Sequence, residues 1–274
     1  MDVNASRELA EIAALAARSV GGLLREAFRS RPQVRTKRDF HDPVTEHDRA
    51  AEEVIRGVIA RECPRSVIVG EEGGTLPAGA GAPGDAGDGV RWFVDPIDGT
   101  ANFAAGVPFF CVSVAAAVDA EVVAGVVYDP VREEMFTASL AGAFVAGRRL
   151  VSAGAVRDRE AMLLTSYPSP RDLKAEGTEA LDRFARMVTS FAAVRRPGSA
   201  ALKLAHVAAG WSDVAFGFRA SPWDVAAGSL LVRQAGGVYI PLDGSVLEVG
   251  GYLAHVGGFD LDGSVLGDVA ARAR

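Results

Sequence analysis

Apolar positions open the chain at helical spacing: Leu9, Ile12, Ala13, Ala16, Val20 and Leu23. Steps of three and four keep them on one face, so the pattern predicts a packing helix. Gly21 and Gly22 weaken that helix, and Pro32 ends it. The stretch from Thr36 to Asp48, TKRDFHDPVTEHD, is polar and of loop character. A second helix is expected from about Arg49 to Arg61, with Ala50, Val54, Val58 and Ile59 inward. Ser66–Gly70 (SVIVG) reads as a short strand that runs into Glu71 and Glu72.

Residues 73–89, GGTLPAGAGAPGDAGDG, have no periodicity and read as a flexible surface insertion, open to acting as a lid. A G-x-G-x-x-G match at Gly79 to Gly84 lies inside it, with no strand before and no helix after. It is no dinucleotide fingerprint. Four apolar runs follow Phe103: residues 110–118, 122–128, 135–138 and 143–146. Asp119–Glu121, Asp129-Pro130 and Gly147 punctuate them, which predicts a mostly antiparallel meander.

From about Val151 strands and helices alternate: a strand at 161–166, helices at 178–191 and 199–209, a strand at 214–216 and a helix from Pro222 to Ala235. Strands at 238–241 and 253–256 and a terminal helix follow. The expectation is two halves, an α+β half over 1–150 and a more α/β half over 151–274.

Composition narrows the function. Hydrophobic residues make up 49% and charged residues 23% of the 274, as in an ordinary globular chain. The net charge of −6 and the lack of a basic run argue against a nucleic-acid partner. Cys63 and Cys111 lie in no zinc-like cluster, and two buried thiols in a reducing cytoplasm are expected. The N-terminus is not of signal-peptide type. No run approaches the ~20 apolar residues of a membrane span.

Five acidic residues sit at the ends of predicted elements: Asp48, Glu71, Asp95, Asp98 and Asp224. Hard divalent cations such as Mg²⁺ take carboxylate oxygens and substrate phosphate. In the Asp95-Pro96-Ile97-Asp98 turn, Pro96 fixes its own φ and restricts Asp95, so both carboxylates can serve one space. Their repulsion would be costly without a cation. Gly99 and Thr100 then offer backbone N–H groups to an anion. Each piece also has a plain structural reading: Asp48 and Asp224 as helix caps, Glu71-Glu72 as solvated surface, the Asp-Pro segment as a turn. Asp42 reads as local loop structure, and His41 and His47 as surface or loop residues.

Taken together these segments resemble the inositol monophosphatase superfamily of metal-dependent, lithium-sensitive phosphatases. The likeness rests on Trp92–Phe103 (WFVDPIDGTANF), Asp42–Asp48 (DPVTEHD), Val69–Glu72 (VGEE), Gly198–Ala201 (GSAA) and Trp223–Gly228 (WDVAAG) with Gly236-Gly237 beyond. It implies a layered α-β-α-β-α sugar-phosphatase sandwich, a homodimer, and a Mg²⁺-dependent phosphomonoesterase in which a metal-activated water attacks directly. By the same resemblance Glu71, Asp95 and the Ile97 carbonyl would hold one Mg²⁺, and Asp95, Asp98 and Asp224 a second. A third, weaker ion would sit near Glu71. Asp48 and Thr100, with Glu71, would act on the water. Gly99, Thr100, Lys37, Gly198, Ser199, Ala200 and Arg219 would face the phosphate or substrate.

One position departs from the family pattern. Many members carry an acidic residue seven positions before the Trp-Asp aspartate, where it contacts inositol hydroxyls; here that position is Gly217. Arg219 and Lys203 lie nearby in sequence, either as recognition groups for a second negative charge or as exposed charges without a ligand. Inositol monophosphate, fructose 1,6-bisphosphate, 3′-phosphoadenosine 5′-phosphate and histidinol phosphate all stay open as substrates. A non-catalytic phosphate- or partner-binding relative and an RNA-associated role are the readings from other classes.

Overall fold

A computed structural model describes residues 1–37, 43–79 and 89–271 of the chain. Helix α1 (Val3–Ser19) starts on Asp2, whose carboxylate accepts the Asn4 and Ala5 N–H groups. The glycine pair resets the helix rather than ending it, and α2 (Gly21–Ala27) follows at once. Strands β1 (Val34–Thr36) and β2 (Pro43–Thr45) pair antiparallel and lead into α3 (Glu46–Glu62). The inward face of α3 is Ala51, Ile55, Val58 and Ile59, not Ala50 and Val54; Val54 is 40% exposed. The helix starts three residues earlier than the periodicity indicated, on the cap at Thr45.

Next come β3 (Val67–Gly70), β4 (Gly74–Pro77), β5 (Val90–Asp98), α4 (Thr100–Ala105), β6 (Cys111–Val118), β7 (Glu121–Asp129), β8 (Glu134–Ser139), β9 (Gly142–Val145) and β10 (Arg148–Arg149). They form one eight-stranded sheet in the order β10-β9-β8-β7-β6-β5-β3-β4. All pairs are antiparallel except β3 with β5. Part of the expected insertion is therefore ordered: Gly74–Pro77 forms the sheet's edge. Residues 80–88, including most of the glycine-rich match, lie outside the described residues, as do His41 and Asp42.

A five-stranded mixed sheet follows, in the order β12-β11-β13-β15-β14. Its strands are β11 (Met162–Thr165), β12 (Ala193–Arg195), β13 (Val214–Ala220), β14 (Val238–Leu242) and β15 (Gly250–His255). The helices of this part are α5 (Pro170–Glu176), α6 (Thr178–Ser190), α7 (Ala200–Ala208), α8 (Pro222–Gln234) and the single turn α9 (Gly267–Ala270). Neither α5 nor β12 is apparent from the patterning. Both are short, and α5 is announced only by its start signals, the Ser169/Asp172 capping box and Pro170 in the first turn.

Helices α1 and α3 cover one face of the large sheet, and α8 crosses the other. Helices α7 and α8 pack together and carry the second sheet, while α5 and α6 form the outer layer. The result is the expected α-β-α-β-α stack. Period-two alternation explains the near-continuous burial of β6: Val112, Val114 and Ala116 face the α1/α3 side, Cys111, Ala115 and Ala117 the α8 side. Gly125 on β7 lets α8 approach, since a Cβ there would stand 2.8 Å from Ala227 Cα.

Candidate active site

The two helix-borne aspartates share one device. Each is the N3 residue of a capping box, not the cap itself. Thr45 caps α3, and Asp48 Oδ2 accepts the Thr45 N–H at 2.7 Å and its hydroxyl at 2.6 Å. Ser221 caps α8, and Asp224 Oδ2 accepts the Ser221 N–H at 2.7 Å. The cap holds one oxygen and fixes the direction of the other. In Asp48 the free Oδ1 accepts the Thr100 hydroxyl at 3.0 Å, and that hydroxyl also lies 3.0 Å from the Ile97 carbonyl.

Strand geometry alone would separate Asp95 from Asp98, because residues three apart point to opposite faces. The register shift between these two residues removes the conflict. Pro96 has no N–H to lose there, and the Ile97 N–H turns back onto Asp95 Oδ1 at 3.0 Å. Gly99 then takes φ +100°, which a side chain rarely tolerates, and starts α4 at Thr100. Asp98 is held from the second half of the chain: Ser199 Oγ and the Ala201 N–H both donate to its Oδ2 at 2.6 Å.

Carboxylate oxygens of Asp95, Asp98 and Asp224 all come within 4.8 Å of one another. Burial pushes Asp95 far above the carboxylate range, with Glu71, Asp98 and Asp224 adding to it. Burial also raises Asp98, against the hydrogen bonds from Ser199 and the α7 backbone. Asp224 is pushed up to about 8, by burial first and Asp98 second. Asp48 is raised by burial in spite of its hydrogen bonds to Thr45 and Thr100. Anionic oxygens crowded at this cost match a hard divalent cation, whose charge removes the penalty and whose preferred donors are oxygens. The residues present fit such an ion.

Glu71 borders this group and hydrogen-bonds with Asp95. Lys37 Nζ donates to Glu71 Oε1 at 2.8 Å and pairs with Glu72. Burial opposes the Lys37 charge, yet Glu71 and then Glu72 hold its pKa above the ordinary lysine value. Glu52, which the sequence did not single out, is buried and accepts the Glu72 and Gly73 N–H groups at 2.8 and 2.9 Å, which fixes the turn carrying Glu71. Asn102 ties α4 to the loop before α7, donating to the Phe109 and Pro197 carbonyls. A side-chain amide inside the Trp92–Phe103 segment was its only sequence signal.

The candidate substrate residues are spread more widely. Gly198, Ser199 and Ala200 precede or start α7, and the Ser199 hydroxyl is directed at Asp98. Arg219 is not a free cation: it pairs with Asp172 at the rim of a cavity of about 140 Å³. Lys203 is not exposed; it is 2% accessible and lines the same cavity with Ser166, Gly217, Asp224 and Tyr252. Tyr252 carries no sequence signal of its own: the apolar pattern predicts a strand from Leu253, and the strand in fact starts at Gly250.

The comparisons agree with this geometry. The inositol monophosphatase family model matches residues 5–269. A protein of Pseudomonas aeruginosa named Nus factor SuhB is 42% identical over 240 residues, covering 85% of each chain. Inositol monophosphatase 2 of Solanum lycopersicum is 34% identical over 244 residues, covering 88% of this chain and 90% of its own. Among solved structures, the extragenic suppressor protein suhB from Bartonella henselae superposes with a TM-score of 0.81 at 32% identity, covering 90% of this chain and 93% of that one. The inositol monophosphatase from Anabaena gives 0.78 at 31%, over 97% and 95%. A match that runs almost end to end and takes in every carboxylate of the cluster leaves one assignment: the chain belongs to the inositol monophosphatase family.

Proposed function

We propose that the protein is a Mg²⁺-dependent phosphomonoesterase that hydrolyses a small phosphorylated metabolite. The observation that carries this is the trio Asp95, Asp98 and Asp224, gathered from two distant parts of the chain into one oxygen-donor cluster. In the proposal residues 1–150 supply most ligands, and 151–274 supply Asp224 and the substrate contacts. Glu71, Asp95, Asp98, Asp224 and the Ile97 carbonyl hold two Mg²⁺ ions, with a third, weaker one beside Glu71. When bound, such ions polarise the phosphoryl oxygens, lower the pKa of water and steady the leaving oxygen.

The chain's own groups do the rest. The Thr100 hydroxyl, tied to Asp48 Oδ1, has a lone pair left to orient the attacking water. Asp48, with Glu71, receives the water's proton. The Gly99 and Thr100 N–H groups, at the start of a helical turn, face the phosphate. A cytoplasmic homodimer sensitive to lithium belongs to the same proposal. Among the described residues no helix is long and apolar enough to cross a membrane.

The test is phosphate release with Mg²⁺ across inositol phosphates, fructose 1,6-bisphosphate, adenosine bisphosphates and histidinol phosphate, with Asp98→Asn as control. Metal-dependent release that the variant abolishes supports the reading; none from the whole panel, with Mg²⁺ still bound, overturns it. A second reading comes from the relatives named Nus factor SuhB, at up to 42% identity. On that reading the same fold serves a nucleic-acid-associated role, and a salt-dependent shift of RNA by the purified protein would support it.

A further inference from the structure

The cavity beside Asp224 holds two polar groups that the proposed chemistry does not use. Lys203 lies on α7 and is 2% exposed. Its Nζ donates to Ser166 Oγ at 3.0 Å and sits 5.8 Å from the Tyr252 ring centroid. Among the described residues it forms no ion pair. Arg219, the other cation of the cavity, is already matched by Asp172. Burial disfavours the Lys203 charge, and the carboxylates of Asp98 and Asp224 favour it from beyond ion-pair distance; of the ammonium's three donors two remain to be satisfied.

The second group is the Tyr252 hydroxyl. Tyr252 is 1% exposed, and its oxygen has no hydrogen-bond partner among the described residues. Buried hydroxyls almost always have one, and an unpartnered hydroxyl in a cavity wall is open to a ligand, an ion or a water. Both groups line one cavity of about 140 Å³, far more than a single water needs. Gly217 keeps it open, because a Cβ there would come within 3.2 Å of the Tyr252 ring. The carboxylates on the cavity wall are already engaged, Asp172 by Arg219 and Asp224 as a candidate metal ligand, and the groups left over are an ammonium and a phenol, both able to donate.

We infer that Lys203, Tyr252 and Ser166 form a subsite for a second anionic group on the leaving side of the substrate, so that the enzyme acts on phosphomonoesters carrying a further phosphate or carboxylate. The inference rests on the proposed phosphatase reading for its place beside Asp224. It excludes a neutral polyol monophosphate as the preferred substrate. The Lys203 ammonium supplies the charge, Ser166 orients it, and the Tyr252 hydroxyl donates the neighbouring hydrogen bond.

Two measurements test it. The first compares kcat/KM with Mg²⁺ for fructose 1,6-bisphosphate and phosphoglycolate against inositol 1-phosphate. The second is calorimetric binding of phosphoglycolate against ethyl phosphate, which differ in the second anion. The wild type is expected to favour the doubly anionic member in both. Lys203→Met should cut that preference by about 10- to 100-fold, the range of a hydrogen bond to a charged group. Tyr252→Phe should reduce it by several-fold while leaving the thermal midpoint unchanged or raised, since an unpartnered hydroxyl has been removed. This variant keeps the test alive if Lys203→Met folds poorly. The bisphosphate and carboxylate arms show which anion is taken. A wild type that prefers inositol 1-phosphate, or variants that leave both ratios unmoved, overturns the inference. Selective binding without turnover of any compound refutes the phosphatase reading and leaves the subsite standing.

Discussion

Asp224→Asn separates metal binding from folding. The amide oxygen keeps the acceptor for the Ser221 N–H, so the α8 cap survives. What goes is one negative charge from three held within 4.8 Å. At that separation each pair of full charges repels by roughly 3 kcal/mol with an effective dielectric of ~20. Asp224 titrates near 8 in the folded chain, against the ordinary 3.8. Between those values the native state holds a proton that the unfolded chain has lost, so metal-free stability falls as pH rises. The variant is therefore expected to match wild type only near pH 4 and to gain on it without metal as pH rises, by about 3 kcal/mol or more at pH 8.

Mg²⁺ reverses the order at pH 8. Ion at a hundred times its Kd adds about 2.7 kcal/mol to the wild type, and the variant should gain far less. The assay is urea unfolding of chelator-treated protein from pH 5 to 9, with and without Mg²⁺. A metal-free variant no more stable than wild type at pH 8, or a gain independent of pH, would refute the account of the cluster as mutually repelling carboxylates.

Other outcomes follow from the same geometry. Asp98→Asn should abolish phosphate release while the Ser199 and Ala201 donors keep an acceptor, so near-ultraviolet circular dichroism should be unchanged and the Mg²⁺-induced rise in thermal midpoint lost. Thr100→Val should lower kcat by about 10²- to 10⁴-fold with a smaller change in KM, and Thr100→Ser should retain most of the rate, because only the hydroxyl reaches Asp48. Gly125→Ala should cost about 1–3 kcal/mol in urea unfolding, because its methyl meets the α8 backbone at 2.8 Å and backbone cannot step aside.

The chain's patterning makes much of this fold legible. The meander from β6 to β9 follows from four apolar runs divided by turn residues. Helices α6, α7 and α8 begin within a residue of their expected starts. Short elements escaped for a physical reason: three or four residues on a sheet edge, such as β4 and β12, take their stability from a partner strand and carry no period of their own. Val54 misled because its spacing suits a helix face that the sheet does not cover.

The sequence by itself determined which chemistry was available. Asp48, Glu71, Asp95, Asp98 and Asp224 stand at element ends, Gly99 and Thr100 follow the strand, and the segment order matches one family. These are local facts, set by residue type and by where periodicity stops. Tertiary structure alone decided convergence and direction. The bulge in β5 brings Asp95 and Asp98 to one side, and the two capping boxes aim Asp48 and Asp224. Packing of α7 and α8 between the sheets carries Ser199 onto Asp98, 101 residues away in sequence. The same packing buries Lys203, which on sequence alone was as easily an exposed charge, against Tyr252. Burial and long-range contact are properties of how elements stack, and periodicity within a single element does not encode them.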